Sequence, residues 1–169
     1  MDALEAILSR RSIRKYTSEQ VPDELIETIL EAAMSAPSAG NEQPWHFIVI
    51  RNREILDEIP RFHPFAGMLR QAQVAILVCG DMRLDKCDGY WVQDCSAASE
   101  NILLAAHACG LGAVWTGIFP TEDRVNNMKK LLYIPDEVIP LSLIPIGYPD
   151  ESKQPSRRFN ESRIHTDLW

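Results

Sequence analysis

The sequence predicts one domain in which helices cover both faces of a β-sheet. Its 169 residues have the length of a single ordinary domain, and 46% of them are hydrophobic, as in folded globular proteins. Four short segments are rich in apolar and β-branched residues and are bounded by turn residues. Their nearly continuous apolar character is typical of strands that are buried on both sides. Four longer segments with helical patterns supply the helices that cover them.

The chain is predicted to begin with a helix that leads into a basic run. Leu4, Ile7 and Leu8 have helical spacing within residues 2–10. The basic run, residues 10–16, has the sequence RRSIRKY and contains four cations, although the whole chain carries a formal net charge of -7. The sequence therefore places an unusual concentration of positive charge directly after the first helix.

A second helix and a polar turn follow. Pro22 suits the first turn of a helix, and the helix is expected to end before Pro37, because proline disfavours helical geometry in the residue that precedes it. The polar turn, residues 37–44, has the sequence PSAGNEQP. Strands are then predicted at WHFIVI (45–50), QVAILVCG (73–80), GAVWTGIF (112–119) and VIPLSLIPIG (138–147).

Two more helices and a polar tail complete the predicted elements. An alanine-rich helix covers residues 91–109 and another helix covers residues 121–132. The alanine-rich helix has few charges on any face, which is typical of a helix buried in a core or between subunits. This pattern predicts a homodimer. Residues 150–169 are polar and have no core of their own.

Charge and hydropathy argue against two classes of partner. A net charge of -7 disfavours nucleic-acid binding through a broad positive field. No apolar run has the length needed to cross a bilayer, and residues 1–5 carry acidic side chains where a signal peptide would carry basic ones. We therefore expect a cytoplasmic protein with no membrane or nucleic-acid partner.

The cysteines and histidines do not predict a metal site. None of the four cysteines has the C-x-x-C spacing of a zinc site or a dithiol redox motif, and the four histidines are isolated from one another. Free cysteines in apolar segments usually behave as small hydrophobic residues. These residues are Cys79, Cys87, Cys95, Cys109, His46, His63, His107 and His165.

The basic run has two possible interpretations. Arg10 and Arg11 at the end of a helix interact favourably with its dipole, which is worth a few tenths to about 1 kcal/mol. Alternatively, two guanidinium groups and a hydroxyl such as that of Ser12 are sufficient to hold one phosphate, and the basic pair Arg157 and Arg158 offers more of the same chemistry. The glycine motifs of dinucleotide and triphosphate sites are absent, so a mononucleotide is the natural size of ligand.

Several segments, in their order along the chain, resemble the nitroreductase family of flavin mononucleotide (FMN) enzymes. They are RRSIRKY, APSAGNEQPWHF, GLGAVWTGIF, IPIGYP and the terminal RRF and RIHTDLW. The resemblance implies an α+β fold with a central, mostly antiparallel sheet flanked by helices. It also implies an intertwined homodimer with a flavin at each subunit boundary. Residues 1–149 would form the FMN-binding domain, and residues 150–169 would extend onto the partner subunit.

The resemblance also implies roles for individual residues. Arg10 and Ser12, with Arg11 beside them, match residues on the phosphate side, and Arg14 matches a cation near N1 and C2=O of the flavin. Gly117 matches a backbone N–H donor near flavin N5. The other expected cofactor contacts are Trp115 and Thr116 beside this glycine, Pro37, Ser38, Asn41 and Gln43 on a loop laid against the partner's cofactor, and Arg157 and Arg158 at the phosphate.

The implied function is an FMN-dependent oxidoreductase that uses NADH or NADPH to reduce a small acceptor such as a nitroaromatic or a quinone. The flavin would perform hydride transfer, so no catalytic side chain is expected. Phe62 or Phe65 would stack on a planar acceptor or pack in the core. Alternatives that remain open are a narrower activity (flavin fragmentation, dehalogenation or natural-product dehydrogenation), a flavin storage or sensing module, and a flavin-free structural dimer.

Overall fold

Five antiparallel strands form the central sheet of the computed structural model, which describes all 169 residues. The spatial order is β1-β2-β5-β3, and β4 also pairs with β5. The strands are β1 (Trp45–Ile50), β2 (Val74–Asp81), β3 (Gly112–Ala113), β4 (Thr116–Gly117) and β5 (Val138–Gly147). Trp45 of β1 lies opposite Gly80 of β2, and Val74 of β2 lies opposite Ile146 of β5.

The central strand β2 shows why the apolar segments are nearly continuous. All eight of its residues are buried. Successive side chains point to opposite faces of a sheet, so Val74, Ile76 and Val78 enter one core cluster, whereas Ala75, Leu77 and Cys79 enter the other. Both faces of the sheet are therefore covered, as the sequence predicted.

Helices lie on both sides of this sheet. They are α1 (Ala3–Ser9), α2 (Asp23–Met34), α3 (Arg53–Glu58), α4 (Trp91–Ala108) and α5 (Glu122–Leu132). On one face α2 and α4 contribute to a cluster of 20 buried residues. On the other face α3, α5 and the segment between α3 and β2 contribute to a cluster of 15 buried residues. The structure is thus the α+β architecture with an antiparallel sheet that the resemblance implied.

Three local features differ from the sequence predictions. The predicted strand over residues 112–119 is split into β3 and β4, because residues 114 and 115 leave the ladder against β5. Helix α2 ends at Met34, two residues earlier than the limit set by Pro37. The short helix α3 was not predicted; the side chain of Asn52 caps it by accepting a hydrogen bond from the Ile55 N–H at 3.1 Å.

The basic run lies as an extended segment against the edge of the sheet. Ser12 forms a parallel bridge with Ala113, and Tyr16 forms an antiparallel bridge with Pro149. Ile13 fits against Gly112, where a Cβ atom would lie 2.6 Å from the Ile13 side chain. Ile13 and Tyr16 therefore anchor the basic run to the sheet.

The two ends of the chain expose apolar side chains. In α1 only Ala6 is buried, whereas Leu4 and Leu8 are 68% and 69% exposed. Residues 152–169 are exposed throughout, and Phe159 and Trp169 are among them. None of the helices combines the length and the hydropathy that a membrane-spanning helix needs.

Candidate functional site

A cavity lies beside β4, between the basic run, the N-terminal part of α5 and the segment that precedes β2. Its volume is about 610 Å³, which is within the usual range of small-molecule sites. It is lined by Arg14, His63, Pro64, Phe65, Gly67, Met68, Val114, Trp115, Thr116, Gly117 and Arg124. Four of the residues that the sequence predicted for a cofactor, Arg14, Trp115, Thr116 and Gly117, are therefore brought together here.

Arg14 presents a free cation to this cavity. Its backbone N–H donates a hydrogen bond to a carboxylate oxygen of Glu151, whereas its guanidinium has no salt-bridge partner in the chain. That backbone N–H is the main reason that the pKa of Glu151 lies below its usual range. The carboxylate thus holds the backbone of Arg14 and leaves the side chain available to a ligand.

Gly117 presents a free backbone donor. The Ile118 N–H donates to the Leu141 carbonyl at 2.9 Å, and hydrogen-bonded residues alternate along an antiparallel ladder. The N–H and C=O of the preceding residue, Gly117, therefore point away from β5. The side-chain hydroxyl of the neighbouring Thr116 already has a partner, because it donates a hydrogen bond to the Leu143 carbonyl at 2.7 Å.

Two glycines leave open space at the cavity wall. A Cβ atom on Gly67 would meet nothing within 4 Å, and one on Gly117 would meet only the Phe119 carbonyl oxygen at 4.0 Å. Neither glycine has a positive φ. Neither the backbone conformation nor the packing of this chain requires glycine at these positions, and the absence of a side chain lets a ligand approach the backbone closely.

The far wall of the cavity contains three residues that the sequence did not identify as one unit. The carbonyl of Gly117 lies 3.0 Å from His63 Nε2 and accepts a hydrogen bond of 3.0 Å from Arg124 Nη1. The guanidinium of Arg124 lies over the Phe65 ring, 5.5 Å from its centroid. Burial first, and the charge of Arg124 second, hold the pKa of His63 below its usual range. No sequence spacing signals this contact, because His63 and Arg124 are 61 positions apart.

A second cavity gathers the arginines expected at a phosphate. It has a volume of about 590 Å³ and is lined by Ile7, Leu8, Arg10, Arg11, Pro155, Ser156, Arg157, Arg158 and Phe159. Arg10 Nε lies 3.5 Å from Glu100 Oε1, the one carboxylate in salt-bridge contact with these four arginines. Arg10 Nε and Arg11 Nη2 are buried without any hydrogen-bond partner. Buried guanidinium nitrogens of this kind fit an anion such as a phosphate.

Ser12 contacts the rest of the chain through its backbone, whereas the sequence interpretation used its hydroxyl to hold a phosphate. Its backbone carbonyl accepts a hydrogen bond of 2.6 Å from Lys153 Nζ, and its backbone pairs with Ala113. Its hydroxyl makes no hydrogen bond within the chain and lines neither of the two cavities.

The polar turn forms a third, separate cluster. The Ser38 hydroxyl accepts a hydrogen bond of 3.0 Å from the Gln43 N–H, and the Asn41 side chain accepts one of 3.1 Å from the Gln43 amide. A carboxylate oxygen of Asp94 accepts a 3.0 Å hydrogen bond from the Ala39 N–H. Pro37 and these turn residues line neither cavity of their own chain.

Comparison of the sequence with models of protein families assigns the chain to a family. The model described as "Nitroreductase family" matches residues 7–66 and 63–148. The chain belongs to the nitroreductase family. It is therefore an oxidoreductase with the nitroreductase fold.

Individual relatives in the nitroreductase family agree with this assignment. A protein of Methanothermobacter thermautotrophicus named "Putative NADH dehydrogenase/NAD(P)H nitroreductase" is 59% identical over 169 residues, covering 100% of this chain and 88% of the relative. A crystal structure with the same name from Parabacteroides distasonis is 44% identical, with a TM-score of 0.95 and coverage of 99% and 98% of the two chains. A Desulfovibrio desulfuricans nitroreductase structure described as a complex with FMN is 36% identical, with a TM-score of 0.86 and coverage of 100% and 98%.

Proposed function

We propose that this chain binds FMN and transfers reducing equivalents from NAD(P)H to a small-molecule acceptor such as a nitroaromatic or a quinone. The observation that carries the proposal is the division of the basic run between two cavities. Arg10 and Arg11 face one cavity, where Arg10 Nε and Arg11 Nη2 make no hydrogen bond within the chain, and Arg14 faces the other. A mononucleotide with a phosphate at one end and a ring system at the other matches this division.

The phosphate end is proposed to rest on Arg10, Arg11 and Arg158, with Arg157 as a neighbour. Four guanidinium groups around one cavity repel one another, and a phosphate dianion removes this repulsion while it accepts charge-assisted hydrogen bonds. Ser12 lines neither cavity, so its contact with the phosphate stays a prediction from the family resemblance. An extended chain rises about 3.3 Å per residue, so Arg11 and Arg14 are separated by about 10 Å along the basic run. This is the distance between the phosphate end and the ring end of the proposed site, measured along the backbone.

The ring end is proposed to lie in the 610 Å³ cavity. There the Arg14 guanidinium would stabilise negative charge at N1 and C2=O, and the free N–H of Gly117 would donate to the N5 edge. Trp115 and Thr116 would form the wall beside Gly117. When bound, the flavin supplies the hydride-transfer chemistry itself, so the chain contributes orientation, charge and exclusion of water.

A homodimer is proposed to complete the site. The polar turn with Pro37, Ser38, Asn41 and Gln43 lines neither cavity of its own chain, and hydrogen bonds within the turn join Ser38, Asn41 and Gln43. We propose that it contacts the flavin of the partner subunit. The exposed apolar residues of α1 and of residues 155–169 support the same assembly, because burial between subunits would remove them from water.

The acceptor is proposed to stack against Phe65. This side chain is 68% exposed at the cavity wall. Phe62, in contrast, packs against the second core cluster. A planar acceptor would gain aromatic contact with Phe65 while it lies near the ring end of the site.

Anaerobic mixing tests the proposal. The protein is saturated with FMN and mixed with NADH or NADPH, and the flavin absorbance is followed before and after addition of a nitroaromatic or a quinone. We expect rapid bleaching with one nicotinamide and recovery of the absorbance with the acceptor. Binding of FMN without rapid bleaching would instead indicate a storage or sensing module. Failure to bind FMN would refute the proposal and favour a flavin-free dimer.

A further inference from the structure

The carbonyl of Gly117 is held by two side chains from distant parts of the sequence. His63 belongs to the segment between α3 and β2, and Arg124 belongs to α5; each places a nitrogen 3.0 Å from the same oxygen. An extended residue directs its N–H and its C=O to the same side. The two side chains therefore occupy the oxygen on the side of Gly117 where its N–H is free. We call His63, Arg124 and Phe65 the carbonyl clamp.

The hydrogen bonds of His63 identify the ring nitrogen that carries the proton. The Phe65 N–H lies 3.3 Å from Nδ1 and can only donate, so Nδ1 is the acceptor and Nε2 carries the hydrogen. Nε2 then donates to the Gly117 carbonyl. His63 is only 1% exposed, so this neutral ring is fixed on both sides and shielded from water.

Phe65 connects the two donors of the carbonyl clamp. Its backbone bonds to His63, and its ring lies under the Arg124 guanidinium at 5.5 Å. The imidazole and the phenyl ring meet edge to face, with centroids 6.5 Å apart. A change at any one of these residues therefore loosens the others.

A glycine needs such support when its backbone must point in one direction. Gly117 has no side chain, and glycine has more backbone freedom than any other residue. Without such support, small changes in φ and ψ would change the direction of the Gly117 N–H bond. The carbonyl clamp restricts those changes from the carbonyl side and leaves the N–H untouched.

We propose that His63 and Arg124 are positioning residues that hold the Gly117 carbonyl and thereby restrict φ and ψ of Gly117, so that its N–H, in the preceding peptide plane, points at N5 of the flavin ring. This inference rests on the proposed FMN site. Neither side chain is required to touch the flavin, since both act through the Gly117 carbonyl. The free energy of one directed hydrogen bond to N5 is the quantity that the carbonyl clamp controls.

Comparison of FMN with 5-deaza-FMN isolates that hydrogen bond, because the analogue replaces the N5 acceptor by C–H. Dissociation constants for both ligands are measured by fluorescence titration in wild type, His63→Ala, Arg124→Ala and the control His46→Ala. We expect wild type and the control to prefer FMN by about tenfold, since the analogue leaves a donor unpaired. In both carbonyl-clamp variants the preference should fall to about threefold or less, and His63→Gln, which keeps an N–H donor, should restore part of it.

The outcomes separate the inference from the proposed function. If wild type binds neither ligand, the proposed function fails. If wild type binds FMN without preferring it, or if the carbonyl-clamp variants keep the full preference, the positioning role is wrong. His63 is buried, so its alanine variant can lose the fold; in that case Arg124→Ala, on the partly exposed face of α5, decides the question alone.

Discussion

Gly117→Ala separates the folding of this protein from its cofactor binding. The substitution adds one methyl group at the wall of the cavity beside β4. Within the chain this methyl would meet only the Phe119 carbonyl oxygen at 4.0 Å, which is ordinary contact. The backbone of Gly117 is not in the left-handed region, so alanine adopts it without strain. Replacing glycine by alanine at such a position stabilises a protein by about 0.4–1 kcal/mol, because the unfolded chain loses conformational freedom.

The effect on FMN should have the opposite sign. If the ring lies against Gly117, the added methyl occupies space that the flavin needs. Overpacking of this kind costs about 1–3 kcal/mol, which corresponds to roughly 5-fold to 150-fold weaker binding. We therefore expect the apo protein to be as stable as wild type or more stable, while its affinity for FMN falls.

Urea denaturation of the apo protein and fluorescence titration with FMN measure the two quantities. Gly80→Ala is the control for a glycine that packing requires, since a Cβ atom there would lie 2.4 Å from the Trp91 ring. That control should lower the free energy of unfolding. An unchanged FMN affinity in Gly117→Ala would refute the reasoning, because the ring could not then lie against this glycine.

Four further outcomes are expected. Arg10→Ala should weaken FMN binding by about 1.5–3 kcal/mol in a titration, whereas the exposed Arg61→Ala should not; equal affinities would remove Arg10 from the phosphate site. Arg14→Gln should lower the midpoint potential by tens of millivolts in a potentiometric titration, since about 30 mV corresponds to about 1.4 kcal/mol, and an unchanged potential would make Arg14 a surface cation. Folding lowers the pKa of His63, so the contribution of neutral His63 to the free energy of unfolding is present above about pH 6.5 and is lost as pH falls. Between pH 7.5 and pH 5.5 the free energy of unfolding of the apo protein should therefore decrease less in His63→Gln than in wild type. An equal decrease in both proteins would contradict this prediction. Removal of residues 155–169 should yield monomers with weakened FMN binding in light scattering and titration, whereas a dimer that keeps its flavin would show that the tail is not a wrapping arm.

The sequence alone determined the main elements and the chemistry of the basic run. The β2 segment is almost continuously apolar because both of its faces are buried, and this pattern can be recognised in the sequence without a structure. The helices α2, α4 and α5 follow from periodicity, composition and proline or glycine signals. The arginines of residues 10–16 indicated an anion because charge and hydrogen-bonding geometry belong to the residue type itself.

Tertiary structure decided how the basic run is divided between two cavities. Ile13 fits against Gly112, and this contact fixes which side chains of the extended segment point outward. A second long-range contact, the ladder against β5, splits the predicted third strand into β3 and β4. Neither result can be read from local propensity, because each depends on where a distant segment lies.

The carbonyl clamp depended on tertiary structure entirely. His63 and Arg124 have no mutual spacing or motif, and an isolated histidine in a sequence is most often a packed or surface residue. Folding brings both to one carbonyl oxygen through the segment before β2 and the first turn of α5. A hydrogen bond requires its atoms within about 3 Å, and only the packing of the whole chain sets distances on that scale.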